Sequence, residues 1–147
     1  MTKVDFYLLA GNGRNAREVM ACKLIDKIYQ LNHKVYVHTD SPQDASRIDE
    51  LLWTLKPGNF IPHNIVSDKG NAEESAKAPV IIGHEKSAPQ IHDVLINLTH
   101  EVPLFFSQFK RVAEFVDAED SHRSLGRTRF KFYKDRGYEL DTHEITN

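Results

Sequence analysis

A cluster of aromatic and cationic residues near the C-terminus has the spacing of a binding surface. A helix would place on one face, at i, i+3, i+4 and i+7, the residues Arg127, Phe130, Lys131 and Lys134. A phenyl ring among cations can form the wall of a pocket, while the cations bind carboxylates. The pattern therefore predicts binding of a short acidic peptide with an aromatic or apolar end.

The expected affinity of such a site is modest. Burying a Phe side chain contributes about 1.5–3 kcal/mol, and each charge-assisted hydrogen bond contributes about 1.5–3 kcal/mol. Association costs at least about 4 kcal/mol in lost freedom. The binding free energy that remains after this cost corresponds to a dissociation constant on the order of micromolar.

The charge distribution favours a local anionic ligand. Residues 121–136 contain six cations and one acid, a balance of +5, so a net charge of −2 leaves −7 for the rest of the chain. A basic face that only meets solvent is the simplest alternative, but an outward Phe130 would expose apolar area with no benefit to folding. Direct binding of DNA by this segment is a further alternative, which the acidic remainder disfavours.

A second candidate surface surrounds the Pro-Gly break at residues 56–59. Aromatic and aliphatic side chains flank this break, namely Trp53, Phe60 and Ile65. Tryptophan in a loop is a common anchor of protein interfaces, so these residues are candidates for an interface. The alternative is that the rings fill a small extension of the core.

Catalytic and cofactor motifs are incomplete. The turn Gly11-Asn12-Gly13 lacks the third glycine of the dinucleotide fingerprint, and no Gly-Lys-Ser/Thr follows it. A nucleotide-binding enzyme that uses this turn is the rival hypothesis. The eight histidines form no His-x-x-x-His pair, and one cysteine, Cys22, cannot anchor a usual zinc site. We expect no catalytic residue, cofactor or metal.

Four acidic residues, Glu114, Asp117, Glu119 and Asp120, surround the start of the basic helix. Acids at a helix N-terminus stabilise the macrodipole, and Asp120 or Ser121 would make a good N-cap. Helix capping therefore explains these acids without catalysis.

The elements that position these residues alternate between strand and helix. Apolar runs predict strands at 4–9, 34–39, 60–65, 79–82, 93–98, 112–116 and 138–145. Helical spacing and capping signals predict helices at 15–31, 41–53, 103–111 and 119–136, with Ser41 as an N-cap and Gly137 after the last helix. On the last helix, we expect Leu125, Phe132 and Tyr133 to face the core. Residues 67–78 are predicted to form a mobile loop.

This alternation predicts the fold class and domain organisation. We expect a three-layer α/β/α fold with a mostly parallel, Rossmann-like sheet, in one domain spanning residues 1–147. The N-terminus has no signal-peptide features, and no apolar run approaches the roughly 20 residues of a membrane span. A lone cysteine suits a reducing compartment, so a cytoplasmic protein without membrane contact is expected.

Several of these segments together resemble one family, the chi subunit of bacterial DNA polymerase III. The similar segments run in the same order over nearly the whole chain: 6–9, 49–53, 60–65, 94–98, 115–121, 127–133 and 137–138. The most specific of them is the Trp53…Phe-x-Pro-His-Asn run that ends at Asn64.

The resemblance implies a non-catalytic adaptor in DNA replication. Chi subunits join the clamp loader through the psi subunit and bind the acidic, phenylalanine-ended tail of single-stranded-DNA-binding protein, which gives indirect contact with single-stranded DNA. Carried onto this chain, the surface for psi, or for an XPD-like repair helicase, comprises Trp53, Phe60 and Ile65. The tail-binding residues comprise Val116, Arg127, Phe130 and Lys131, with Tyr133 and Lys134 nearby.

Two positions depart from the family pattern beside the tail-binding residues. Phe130 stands where we expect tyrosine, so the ring is kept and a hydroxyl is lost. Asp117 follows Val116 where proline is commoner, and an acid there could weaken capture of an acidic tail. Whether psi or the helicase is the main partner stays open at this point.

Overall fold

The chain folds around one seven-stranded sheet. The computed structural model describes residues 1–11, 13, 15–54, 61–65, 78–85 and 88–145. Within them the strands are β1 (Lys3–Leu9), β2 (Val35–His38), β3 (His63–Ile65), β4 (Val80–Gly83), β5 (Val94–Asn97), β6 (Arg111–Val116) and β7 (Glu139–Ile145). They lie in the order β3-β4-β2-β5-β6-β1-β7. Every strand pairing in this part of the chain is parallel.

In the described part of the chain, three helices connect the strands. They are α1 (Ala16–Gln30), α2 (Pro42–Thr54) and α3 (Asp120–Asp135). Alternation along each strand divides the buried side chains between two faces of the sheet. Ile82 belongs to the core under α1 and α2, and its neighbour Ile81 belongs to the core under α3. This arrangement confirms the predicted three-layer α/β/α class with a Rossmann-like parallel sheet.

Local capping signals define two helix ends as predicted. The backbone N–H of Asp44 donates a hydrogen bond of 3.1 Å to Ser41 Oγ, so Ser41 caps α2. Gly137 follows α3 with a φ of 81°, a left-handed conformation that glycine adopts without the steric cost of a side chain. Both helix boundaries could therefore be read from single residues.

The predicted helix at 103–111 is wrong. Only a short 3₁₀ turn forms, at Phe106–Gln108. Phe106 and Phe109 are both buried in the core under α3, and the chain is already extended at Phe109. The backbone N–H of Lys110 donates to the His92 carbonyl at 2.8 Å, which ties the segment to the start of β5. Long-range packing thus leaves no room for a longer helix.

Two further predictions can be compared only with the residues that the structure describes. Most of the loop predicted at 67–78 lies outside them. Among the residues that the structure describes, no helix is long and apolar enough to span a membrane.

Candidate peptide-binding site

A cavity of about 490 Å³ opens beside α3 at the carboxyl ends of β1, β6 and β7. The strands contribute Leu8, Leu9, Val116 and Ile145, and α3 contributes Arg123, Gly126, Arg127 and Phe130. Because parallel strands end at the same edge of a sheet, residues distant in sequence meet there. The cavity combines an apolar floor with cations at its rim.

A glycine lets α3 lie close to the sheet at the cavity. A Cβ atom on Gly126 would come within 2.7 Å of Val116 Cγ2, closer than packed side chains allow. Phe130, one turn further along α3, packs edge-on against Phe6 with 5.3 Å between the ring centroids. The Phe130 ring is therefore half-buried as one wall of the cavity, and it is neither sealed in the core nor fully outward.

Two guanidinium groups give the rim its positive charge. Arg123 and Arg127 are exposed, and neither makes an ion pair with a residue that the structure describes. Two acids also line the cavity, Asp117 and Glu144. Asp117 is buried, and its Oδ1 accepts hydrogen bonds from the backbone N–H of Glu119 at 3.0 Å and from His122 Nδ1 at 2.8 Å.

The structure brings together three of the residues predicted to bind a peptide tail: Val116, Arg127 and Phe130. Lys131 and Lys134 are exposed on α3 but do not line the cavity. Lys131 Nζ donates to Asp135 Oδ2 at 2.9 Å across one turn of α3. Exposed ion pairs of this kind contribute little to stability, so Lys131 can leave Asp135 and turn toward an anionic ligand.

The predicted core face of the last helix is partly wrong. Tyr133 is buried as expected, but Leu125 is 38% exposed, and Arg129 takes a core position at 3% exposure. Tyr133, which the family resemblance places near a bound tail, therefore lies beneath the cavity wall. Tyr133 packs edge-on against Phe6, which in turn contacts Phe130, and it has no exposed surface for a ligand to touch.

A buried carboxylate fixes the rotation of α3. Glu114 on β6 is fully buried and accepts hydrogen bonds from Arg129 Nε at 2.9 Å, the Tyr133 hydroxyl at 2.7 Å and Asn97 Nδ2 at 2.9 Å. Burial raises the pKa of the Glu114 carboxyl, and these donors oppose the rise because each stabilises the carboxylate. Since Arg129 and Tyr133 must face Glu114, the adjacent face of α3, which carries Gly126 and Phe130, is directed to the cavity.

The acids at the start of α3 cap the helix differently from our prediction. The N-cap is Glu119, and neither Asp120 nor Ser121 caps α3 through its side chain. Ser121 Oγ instead donates to Glu119 Oε1 at 2.6 Å. Within the described residues, Asp117, Glu119 and His122 form a group of possible metal ligands, with donor atoms within 4.8 Å of one another. His122 Nδ1 lies 2.8 Å from Asp117 Oδ1 and 3.6 Å from Glu119 Oε2, so contacts among these side chains account for their closeness.

Two of the residues that α3 contributes to the cavity, Arg123 and Gly126, were not predicted from the sequence. They complete a stripe at i, i+3, i+4 and i+7 with Arg127 and Phe130, one turn earlier than the predicted stripe. Helical spacing back from Arg127 was the signal that could have found Arg123.

The second predicted surface lies at the other edge of the sheet. Trp53, in the last turn of α2, is 54% exposed, and Ile65 on the edge strand β3 is 36% exposed. The Trp53 ring packs edge-on against His63 at 5.1 Å, and His63 Nε2 lies 3.0 Å from Asp49 Oδ1. Asp49 and His63 thus hold two separate sequence segments together under Trp53. Phe60 lies outside the described residues.

The glycine turn after β1 lies next to the cavity. The backbone N–H of Ala118 donates to the Gly11 carbonyl at 3.1 Å, which joins this turn to the end of β6. Asn12 and Arg14 lie outside the described residues.

Comparison with solved structures shows the fold alone. The crystal structure of T4 UvsW matches 99% of this chain and 42% of that protein, with a TM-score of 0.72 and 10% sequence identity. Domain 2 of the DEAD-box helicase Mss116p, bound to an RNA duplex, matches 99% of this chain and 64% of that chain, with a TM-score of 0.67 and 10% identity. The chain therefore spans less than two thirds of either structure.

Sequence comparison shows the family. The family model described as DNA polymerase III chi subunit, HolC, matches residues 1–141. DNA polymerase III subunit chi of Pseudomonas aeruginosa is 39% identical over 145 residues, which cover 99% of this chain and 98% of the relative. The subunit of the same name from Escherichia coli is 30% identical over 148 residues, with 97% of each chain covered. This chain belongs to the chi subunit family of DNA polymerase III.

Proposed function

We propose that this protein is a non-catalytic adaptor that links the clamp loader, through the psi subunit, to the acidic C-terminal tail of single-stranded-DNA-binding protein. The observation that carries the proposal is the cavity beside α3, with its apolar floor and with rim arginines that form no ion pair with a described residue. A tail that ends in phenylalanine and carries acidic residues is complementary to this combination.

The geometry suggests how such a tail would bind. Its terminal ring would enter between Phe130 and Val116, which both line the cavity. Its carboxylates would then meet Arg123 and Arg127 at the rim, where guanidinium groups can bind carboxylates in a bidentate manner. Lys131 lies one turn beyond Arg127 and adds positive potential that draws the tail in.

Asp117 does not prevent this mode of binding. One carboxylate oxygen of Asp117 is held by His122 and by the backbone of Glu119, so its charge is partly compensated within the protein. The unfavourable effect of Asp117 on an acidic tail is therefore smaller than the sequence alone predicts.

The first prediction concerns Arg127. We expect Arg127→Ala to weaken binding of a synthetic acidic peptide ending in phenylalanine by more than about 1 kcal/mol, because it removes a charge-assisted contact. Titration calorimetry at two salt concentrations measures the change, and the salt dependence should become shallower in the variant.

Arg47→Ala is the matched control for Arg127→Ala. Arg47 is a surface arginine of α2 whose nearest acids are Glu18 and Asp44, and it does not line the cavity. Deleting the terminal phenylalanine of the peptide should abolish binding to the wild-type protein. Equal affinities of the Arg127→Ala and Arg47→Ala variants would contradict the proposed site.

The second prediction concerns the Trp53 surface. We expect Trp53→Ala to reduce capture of psi by at least about 2 kcal/mol, as truncation of an exposed aromatic anchor does at protein interfaces. The measurement is surface binding with purified psi, and with a purified XPD-like helicase as a second analyte. Loss of the helicase alone would replace psi with the helicase as the partner of this surface.

A nucleotide is the competing ligand for the cavity, because α/β folds commonly bind nucleotides at the carboxyl ends of their strands. Thermal unfolding with a panel of nucleoside triphosphates tests this alternative. Stabilisation by a nucleotide that the acidic peptide reverses would show that both ligands use the cavity, and it would favour a nucleotide-regulated protein over a simple adaptor.

A further inference from the structure

A second cavity, of about 420 Å³, lies beside α1, at the opposite end of the sheet from the cavity beside α3. We refer to the cavity beside α3 as the tail-binding cavity, after its proposed function. Its walls come from one face of α1 and from the amino ends of β5 and β6. We call it the α1 groove and define it by six of its residues: Leu24, Lys27, Ile28, Leu31, Lys110 and Arg111.

The α1 groove has a wall of mainly aliphatic side chains. Leu24, Lys27, Ile28 and Leu31 recur at helical spacing, so they form one stripe along α1 about 10 Å long. Leu31 is 60% exposed, although it belongs to this apolar stripe. A length of about 10 Å accommodates roughly three residues of an extended chain.

The rim of the α1 groove carries free positive charge. Lys27 and Lys110 are exposed, and neither forms an ion pair with any residue in the described ranges. The two acids of the groove are already engaged. Asp5 accepts from Arg111 at 2.7 Å and lies 3.0 Å from His143 Nε2, and Asp93 accepts from the backbone N–H of Lys34 at 2.8 Å.

The groove exists because α1 covers only part of its face of the sheet. Under α1, the strand residues are apolar, as at Ala113. Beyond α1, the same face carries paired charges, such as Lys3 and Asp141 at 2.8 Å. The groove lies along the boundary where α1 stops covering this face of the sheet.

From this combination we propose that the α1 groove is a second docking site, for an extended, acidic segment of a partner protein with at least one aliphatic side chain. The aliphatic side chain would pack on Leu31 and Ile28, and carboxylates on either side of it would meet Lys27 and Lys110. A peptide fits better than a nucleic acid, because three aliphatic side chains line the α1 side of the groove wall. The Tyr7 ring, which also lines the groove, is already stacked against Phe115 and His143, so among the lining residues only the His33 imidazole is exposed for a base to stack on. This site is independent of the proposed tail-binding site.

The test uses a synthetic peptide of alternating aspartate and leucine with an acetylated N-terminus and an amidated C-terminus. Blocked ends exclude recognition of a terminal carboxylate, so the probe distinguishes the groove from the tail-binding cavity. We expect fluorescence anisotropy to show salt-sensitive binding to the wild-type chain. Lys110→Glu should raise the dissociation constant by about tenfold, because it replaces an attraction with a repulsion.

The matched control is Lys23→Glu, which makes the same change of net charge at an exposed position of α1 that does not line the groove. Leu31→Ala should also weaken binding, without changing its salt dependence. Three outcomes would overturn the proposal: no binding of the blocked peptide, equal effects of Lys110→Glu and Lys23→Glu, or competition by a single-stranded oligonucleotide that binds more tightly than the peptide. Arg127→Ala should bind the blocked peptide normally, so failure of the tail-binding proposal would leave this test intact.

Discussion

The buried pair of Glu114 and Arg129 joins several segments near the tail-binding cavity. Arg129 is almost fully buried and also donates from Nη1 to the His100 carbonyl at 3.3 Å. A guanidinium at this depth is stable only because the Glu114 carboxylate faces it. The pair consequently holds three segments together: β6, α3 and the loop after β5.

The third prediction follows from this burial. We expect Arg129→Ala to lower the free energy of unfolding by about 3–5 kcal/mol, because it leaves the Glu114 carboxylate buried and uncompensated. The double variant Glu114→Gln with Arg129→Met should recover most of this loss, since it removes both charges and keeps the volume. Urea unfolding of the three proteins measures these differences.

The same variants separate folding from binding. In the double variant, the tail-binding cavity keeps Arg123 and Arg127, so the salt dependence of peptide binding should match the wild type. A double variant as unstable as Arg129→Ala would contradict the view that charge compensation is the main role of Arg129.

At the scale of elements, the sequence predicted most strands and helices because each carries its own local signal. Strand β4 is a run of buried aliphatic residues, and α2 begins at a Ser-Pro pair with the expected cap. Gly137 marked the end of α3 for the same reason. Such signals lie in one or two residues and need no knowledge of the remaining fold.

The rotation of α3 could not be predicted in the same way. Hydrophobicity placed Leu125 in the core, whereas the structure leaves Leu125 38% exposed and buries Arg129. The cause is Glu114, a buried acid on a different element, which selects the guanidinium as its partner. Because that pairing is a tertiary contact, the spacing of apolar residues along α3 did not reveal it.

The residues of the tail-binding cavity were predicted only in part. Arg127 and Phe130 were found from their helical spacing, whereas Gly126 was missed because its role depends on the distance to Val116. The strand residues of the floor, such as Leu8 and Ile145, are ordinary apolar residues, and only the strand order brings them together.

Considered as a whole, the molecule separates its candidate surfaces around the sheet. The tail-binding cavity lies at the carboxyl ends of β1, β6 and β7, and the α1 groove lies at the amino ends of β5 and β6. Trp53 and Ile65 lie at the β3 edge. Surfaces this far apart can hold different partners at the same time, and an adaptor requires this property.

The fourth prediction concerns the pH dependence of the stability of the whole fold. Burial lowers the pKa of His38 to about 4, and the nearby His84 contributes to the shift. In the unfolded chain, His38 regains its ordinary pKa of 6.5 and takes up a proton at higher pH than in the fold. Stability should therefore fall as the pH drops from about 6.5 toward 4, by about 1–2 kcal/mol at pH 5 after allowing for partial exposure.

Unfolding of the wild type and of His38→Gln, measured between pH 5 and pH 7, tests this prediction. Glutamine can still accept the hydrogen bond that joins the Tyr36 hydroxyl and His38 Nδ1 at 3.3 Å, but it does not titrate. The variant should lose less stability than the wild type over this interval. An identical slope in both proteins would assign the acid sensitivity to other groups.

The position of β1 in the sheet has a consequence for how the protein is made. In the sheet, β1 lies between β6 and β7. These neighbours are the last two strands in sequence among the described residues, whereas β1 is the first. A ribosome must therefore deliver residues 139–145 before the N-terminal segment can dock on both sides. Until then the cavity beside α3 lacks the side chains that β7 contributes, Thr142, Glu144 and Ile145, so under the proposed function an unfinished or C-terminally clipped chain would bind the tail more weakly than a complete one.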